Sequence, residues 1–287
     1  MLIRLGHSPD PDDAFMFWGL ATGHVDPRGL EFEHVLRDIQ TLNEWALQGR
    51  LEVTAISVHA YPLVQERYVI LPHGASIGRG YGPIVVAREP LAQDALRDAE
   101  IAVPGRMTTA FLALRLLLDS EFRYREVAFD AIIDEVRAGR ADAGLLIHEG
   151  QLTYGRHGLH RVVDLGEWWL LETGLPLPLG INVARRDLGD DALQRVSEAL
   201  AESIEAGLRH RPQALKHAMR YGRGLDPTLT DRFVGMYVNR LTREFDDEGR
   251  QAVEELLARG ERAGAIERPV RVEFYADAAA ASAARER

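Results

Sequence analysis

The chain has 287 residues, with 34 Lys+Arg against 44 Asp+Glu, ten His, no Cys and a formal net charge of −10. The length suits roughly two domains, and 46% hydrophobic against 27% charged residues excludes global disorder. The acidic balance without any Lys/Arg run excludes a phosphate-neutralising nucleic-acid binder, and the lack of Cys excludes disulfides, thiolate metal sites and a Cys nucleophile.

Short apolar runs alternate with amphipathic stretches, the pattern of an α/β fold. Leu2–Leu5 reads as a strand ending at His7-Ser8-Pro9. Ala14–Leu20 reads as a helix with Asp12 or Asp13 as N-cap. Thr41–Gln48 is a short helix closed by Gly49, and Glu52–Ser57 is the next strand. Met107–Leu118 is an apolar helix opening at Thr108-Thr109. Asp130–Ala138 is a helix closed by Gly139, followed by a strand over Asp142–His148. Helices are predicted at Ala192–His210, Pro212–Tyr221, Thr228–Leu241 and Asp246–Gly260, and the Ala-rich end from Ala276 is expected to fray. The N-terminus enters strand-like sequence with no signal-peptide core, and no apolar run approaches the roughly 20 residues of a membrane span. A cytoplasmic, membrane-free protein is expected.

Two internal echoes organise these elements. Gly49-Arg-Leu-Glu-Val-Thr-Ala-Ile56 parallels Gly139-Arg-Ala-Asp-Ala-Gly-Leu-Leu146, and Ile84-Val-Val-Ala-Arg-Glu-Pro-Leu91 parallels Ile181-Asn-Val-Ala-Arg-Arg-Asp-Leu188. Together they predict two similar lobes joined by two extended segments. This is a two-lobed, periplasmic-binding-protein-like (type II) α/β fold with a double-stranded hinge and a helical C-terminal part. The large lobe would comprise residues 1–86 plus 181–287 and the small lobe 87–180. Ligands of such lobes bind in the crevice beyond the carboxyl ends of the strands.

The candidate site residues follow from that placement. One strand delivers Ser57 and the other delivers His148, an imidazole suited to general acid–base work or to simple hydrogen bonding within the loop. Thr108-Thr109 open a helix whose free N–H groups suit a carboxylate or phosphate, with plain N-capping the alternative. The turn Ser8-Pro9-Asp10-Pro11-Asp12-Asp13 lies at the same edge. Its three carboxylates suggest a metal only weakly, because capping accounts for two of them. The loop Gly74–Pro83 lacks the pattern of a P-loop or a dinucleotide fingerprint and reads as a tight approach to the hinge, with Arg79 a weak anion-binding candidate. Ser57 has no nucleophile elbow around it and reads as a ligand-positioning hydroxyl. Trp168-Trp169 and Leu170-Leu171 read as packing.

Five ordered blocks then resemble a known family: Ser8-Pro-Asp-Pro-Asp-Asp-Ala-Phe15, Thr54-Ala-Ile-Ser-Val-His-Ala-Tyr61, Gly78-Arg-Gly-Tyr-Gly-Pro83, Pro104-Gly-Arg-Met-Thr-Thr-Ala110 and Leu146-Ile-His-Glu-Gly150. Over about residues 1–260 the chain is similar to the 1,4-dihydroxy-6-naphthoate synthases of the futalosine route to menaquinone. The resemblance implies a lyase that converts cyclic dehypoxanthine futalosine to 1,4-dihydroxy-6-naphthoate, with no metal and no organic cofactor. It implies a proton acceptor at His148, neutral at pH 7, and substrate contacts at Ala55, Ile56, Ser57, Thr108 and Thr109. The only partner implied is the small-molecule substrate. Two departures stand out: many members carry Cys-Pro-Asn-Asp-Thr where this chain has Asp10-Pro11-Asp12-Asp13-Ala14, and Lys where Ala55 stands. A small-anion binding protein or a chorismate-dehydratase-like lyase of the same fold are the alternatives. Oligomeric state, resting cleft closure, the order of product release and the roles of His7, His59 and Arg79 stay open at this level.

Overall fold

Two glycines with left-handed backbone, Gly49 (φ 65°) and Gly139 (φ 72°), end equivalent helices and turn the chain into equivalent strands. The computed structural model describes residues 1–119 and 121–275, so the Ala-rich stretch from Ala276 lies outside the described residues. The chain runs β1 (Leu2–His7), α1 (Pro11–Met16), α2 (Trp18–Ala21), β2 (Glu31–Leu36), α3 (Ile39–Leu47), β3 (Val53–Ser57), α4 (Tyr61–Val64), β4 (Tyr68–Ile70) and β5 (Ser76–Gly78). It crosses to β6 (Ile84–Ala87), β7 (Glu100–Val103), α5 (Thr109–Leu118), β8 (Arg123–Glu126), α6 (Ile132–Arg137), β9 (Ala143–Leu146), α7 (Gly150–Thr153), β10 (His160–Asp164) and α8 (Leu165–Thr173). It then returns through β11 (Leu177–Arg185) to α9 (Asp190–Arg209), α10 (Arg211–Ala218), α11 (Pro227–Tyr237), α12 (Arg240–Arg243) and α13 (Asp247–Arg262).

The first sheet has the order β2-β1-β3-β11-β4, with β5 also on β11; the second has the order β10-β6-β9-β7-β8. Each sheet contains a parallel triple, β2-β1-β3 or β8-β7-β9, flanked by one antiparallel strand. The flanking strands are the second sequence echo, and they pair with the first echo in the same register. Ile181 faces Ile56 and Ala184 faces Val53, just as Ile84 faces Leu146 and Ala87 faces Ala143. Two short sequence matches thus mark one repeated four-stranded unit.

The crossings fall slightly earlier than the predicted lobe boundaries. β6 pairs wholly within the second sheet and β11 within the first, so the chain crosses at residues 79–83 and 174–176. At the first crossing the backbone passes so close to α8 that a Cβ on Gly166 would lie 2.1 Å from the Tyr81 carbonyl group. The glycine-rich segment 78–82 is therefore the tight approach its composition suggests. The helical C-terminal part divides its packing: α9 packs on α1 and α2, and α13 packs on β11 and α5. One continuous apolar core links the sheets, from Ile56, Ile70 and Ile181 through Phe111 and Leu114 of α5 to Ile101 and Leu145.

Two helices depart most from their predicted bounds, and the predicted helix 14–20 divides at Phe17 into α1 and α2. α1 starts at Pro11 under Asp10, whose extended backbone (φ −132°, ψ 167°) lets its side chain accept from Asp13 N–H at 3.2 Å. Pro11 loses nothing at the first helical position, where its N–H would be unpaired anyway. The predicted helix 228–241 breaks after Tyr237, and Asn239 recaps α12 through a capping box with Thr242.

Gly166→Ala is expected to destabilise the chain by about 1–3 kcal/mol through the clash with the Tyr81 backbone. The readout is a lower urea midpoint at unchanged slope.

Candidate active site

The carboxyl ends of the repeated strands converge on one cavity of about 680 Å³, its mouth included. Four equivalent segments build it: the β1–α1 turn, the end of β3, the β7–α5 turn and the end of β9. Ser8, Asp10, Asp12, Ala55, Ser57, Thr108, Thr109 and His148 all line it. Ile56 does not. Alternation along β3 turns Ala55 and Ser57 to the cavity and Ile56 into the core, where it is fully buried against the strand pair with β11. The implied Ile56 contact therefore finds no side chain at the cavity.

His148 follows β9 in left-handed backbone (φ 53°), a costly conformation for a non-glycine residue that marks functional sites. Its Nδ1 lies 2.9 Å from Asp10 Oδ2, and no hydrogen bond from the described residues reaches Nε2. The ring also meets the edge of Phe129 at 4.9 Å, over which Arg223 stacks at 4.6 Å while bonding to Glu149 at 3.1 Å. Burial disfavours the charged ring, but the Asp10 carboxylate and its hydrogen bond outweigh burial and hold the His148 pKa above its ordinary value. The expectation of a plainly neutral ring at pH 7 changes accordingly: Asp10 makes His148 a stronger base with a larger protonated fraction. Burial alone would raise Asp10, and the facing imidazolium charge brings it below the usual carboxylate range.

Of the two readings of the threonine pair, the hydroxyls take the structural one. Thr108 caps α5: its Oγ1 accepts from Phe111 N–H at 3.2 Å and donates to Gly105 O at 2.7 Å. Thr109 Oγ1 donates to Leu179 O at 2.7 Å and accepts from His59 N–H at 3.2 Å. Both hydroxyls are thus committed within the protein. The α5 N-terminus still offers the backbone N–H groups of Thr109 and Ala110, which have no acceptor one turn back, so this helix start suits an anion through main chain and helix dipole and not through the hydroxyls. Ser57 Oγ accepts from Asn43 Nδ2 at 3.0 Å, and Asn43 Oδ1 accepts from Ser57 N–H at 2.8 Å, which leaves the Ser57 hydroxyl proton for a ligand.

His7 and His59 lie behind the cavity walls. His7 bonds Ser8 O and His34, and burial beside His34 lowers its pKa to about 3. His59 bonds Thr108 O, and burial lowers its pKa to about 4. Both are neutral structural rings. Arg79 pairs with Glu248 on the surface, away from the cavity. Trp169 is core, and Trp168 packs against it.

Asp10, Asp12 and Asp13 bring carboxylate oxygens within 4.8 Å of one another, close enough for one cation. Their hydrogen bonds already commit two of them: Asp10 to His148 and Asp13 N–H, and Asp13 Oδ2 to Ser8 N–H at 2.7 Å. Burial, reinforced by the Asp10 charge, pushes both Asp12 and Asp13 well above the ordinary carboxylate range. Asp12 and Asp13 therefore hold a proton more readily than a free carboxylate does. Asp10 as the histidine's partner, and Tyr237 and Phe233 of α11 as wall residues, were not found by sequence reasoning. Asp10 and His148 stand far apart in the chain, and nothing in either's local pattern joins them.

The sequence profile of a family described as menaquinone biosynthesis matches residues 3–262. Two curated relatives are named 1,4-dihydroxy-6-naphthoate synthase. The Thermus thermophilus protein is 45% identical over 262 residues, 91% of this chain and 95% of that one. The Streptomyces coelicolor protein is 36% identical over 269 residues, covering 92% and 94%. Among solved structures, protein AF1704 from Archaeoglobus fulgidus superposes with a TM-score of 0.89 at 46% identity, covering 92% of this chain and 98% of that one. The alkanesulfonate-binding protein of Xanthomonas axonopodis pv. citri superposes with a TM-score of 0.70 at 12% identity over 94% and 95%, a likeness of fold alone.

An imidazole held by Asp10 titrates higher than one without it. His148 contributes stability below its unfolded pKa that is lost as pH rises through the raised folded value, and Asp10 contributes stability lost as pH falls through its lowered one. The pair is strongest between those two limits. In Asp10→Asn, burial is opposed only by the smaller effect of the Glu149 charge, which Arg223 counters, and an NMR titration of His148 is expected to move from above about 6.5 to below it.

Proposed function

The chain belongs to the menaquinone-biosynthesis family and acts in that pathway, and from that premise we propose that it performs the 1,4-dihydroxy-6-naphthoate synthase reaction for which its curated relatives are named. The proposed substrate is cyclic dehypoxanthine futalosine. The proposed reaction is a carbon–carbon lyase step that releases 1,4-dihydroxy-6-naphthoate and a small sugar-derived fragment. Proton removal initiates the bond cleavage, and gain of aromaticity in the ring system drives it, so the protein supplies a base, an anchor for the carboxylate and a water-poor cavity.

The single observation that carries this reading is the Asp10–His148 pair at the cavity wall, with Nδ1 held at 2.9 Å and Nε2 left for the ligand. His148 Nε2 is the proposed proton acceptor. Asp10 fixes the tautomer and stabilises the imidazolium that forms, the role of an orienting carboxylate in histidine-based catalysis. The proposed carboxylate anchor is the α5 N-terminus at Thr109 and Ala110, and the Ser57 hydroxyl donates to a ring or sugar oxygen. Ala55 borders the ligand with its methyl group and backbone, and Ile56 stands behind it in the core. The lobes are proposed to part at residues 79–83 and 174–176 to admit the substrate; Asp10–His148, Met107 N–H to Gln40 at 3.2 Å and His59 N–H to Thr109 then define the closed arrangement. A protein that only captured a ligand would have no use for a strained histidine paired to a buried carboxylate.

His148→Ala is expected to lower kcat by about 10²–10⁴-fold with KM changed only a few-fold. Turnover is read by naphthoate formation from cyclic dehypoxanthine futalosine. Because the base works in its neutral form, the wild-type rate should rise with pH through the raised His148 pKa. Asp10→Asn should move that limb to lower pH and reduce the plateau, since the weaker base accepts a proton less readily.

A further inference from the structure

We propose that Arg223 is a positioning residue for His148, a latch that reaches across the cleft and keeps the lobes together so that Asp10 stays against the imidazole. This role rests on the reading of the Asp10–His148 pair given above. Asp10 starts α1 in the first lobe and His148 ends β9 in the second, so their 2.9 Å contact exists only while the lobes are closed. Desolvation consumes most of the attraction within a buried pair, which makes this contact a weak clasp by itself.

Arg223 lies in the loop between α10 and α11, both of which pack on α1, so it travels with the first lobe. Its side chain ends on the second. One Arg223 Nη lies 3.1 and 3.3 Å from the two oxygens of Glu149, and the guanidinium lies over the Phe129 ring at 4.6 Å. Glu149 directly follows His148 in the chain and is 9% exposed, while Phe129 meets the His148 ring edge-on. Arg223 thus grips the chain neighbour and a ring neighbour of the base. A buried carboxylate is costly without a cation, and Glu149 receives its cation from the opposite lobe. Opening the cleft would strip away that cation and the stacking on Phe129 together. Arg223 has left-handed backbone (φ 41°), as His148 does, so a costly conformation stands on each side of the latch. Two neighbouring contacts run in the same sense. Arg156 meets Asp226, the cap of α11, at 3.2 Å, and the Gln151 side-chain amide meets the Tyr237 hydroxyl at 2.6 Å.

The groups facing His148 set the sign of the test. Burial disfavours the charged ring; Asp10 from the first lobe and Glu149 on its own loop favour it, and Arg223 disfavours it. Acting only as a nearby charge, Arg223 would hold the ring's pKa down, and Arg223→Ala would raise it. Acting as the latch, its loss parts the lobes and withdraws Asp10, and the pKa falls toward its ordinary value of about 6.5. NMR titration of His148 without substrate is expected to show that fall. Arg223→Lys keeps the charge but neither spans both carboxylate oxygens nor stacks flat on Phe129, so it should give a smaller fall in the same direction. The second readout is the split between KM and kcat in naphthoate formation. Apparent affinity drops with the fraction of closed protein, so Arg223→Ala should raise KM about tenfold and lower kcat less than about threefold, since bound substrate itself draws the lobes together. A His148 pKa that rises or stays in place in Arg223→Ala overturns the latch, as does a loss confined to kcat. Should Arg223→Ala fail to fold, the Arg223→Lys titration decides, a fall supporting the latch and no change overturning it. If the wild type forms no naphthoate, the functional reading falls, and the titration alone judges the latch by the same sign.

Discussion

One hydrogen bond, from His148 Nδ1 to Asp10 Oδ2, joins the end of β9 in the second sheet to the first turn of α1 in the first. Much of the site depends on it. Asp10 caps α1 with one oxygen and holds the imidazole with the other, so the geometry of the helix start and the geometry of the base are set by the same side chain. The histidine reaches that carboxylate from a left-handed backbone, which costs on the order of 1–3 kcal/mol and persists only where surrounding contacts enforce it. The Glu149–Arg223–Phe129 group behind the ring supplies such contacts.

A second constraint is the absence of Lys or Arg from the described lining of the cavity. The protein as a whole is acidic, yet an anion can be held without a fixed cation when neutral donors converge on it. Here the neutral donors are the α5 N-terminus and the Ser57 hydroxyl, both set at the ends of strands in the manner of open α/β sheets. The repeat makes this possible. α1 and α5 follow equivalent strands, so one helix start presents a carboxylate to the imidazole and the other presents unpaired N–H groups to the cavity.

The fold was legible because its signals are local and repeated. Gly49 and Gly139 mark helix ends by a backbone requirement that few other residues meet, and the strands beside them repeat the same apolar order. The helix start at Pro11 was misplaced because the cap was sought at Asp12 or Asp13, whereas Asp10 on the same turn takes the extended backbone. The break after Tyr237 was missed because Val238 interrupts neither the apolar pattern nor the propensity strongly. In the site, Ser57, Thr108, Thr109 and His148 were found from their places at strand and helix ends. Their roles were less visible: that both threonine hydroxyls are consumed internally, or that Ile56 faces the core, depends on partners distant in sequence. Asp10 and Asp12 reach the cavity from one turn and Tyr237 from the distant α11, and no spacing rule connects that turn with Tyr237 or His148.

The account's central claim is that base and anion anchor stand on opposite walls of one cavity, and a crystal structure with 1,4-dihydroxy-6-naphthoate bound tests it most directly. The account predicts the carboxylate within hydrogen-bond distance of the Thr109 and Ala110 N–H groups, and the hydroxylated ring facing His148 Nε2. A ligand seated outside this cavity, or inside it with the carboxylate turned toward Asp10 and away from α5, would contradict it.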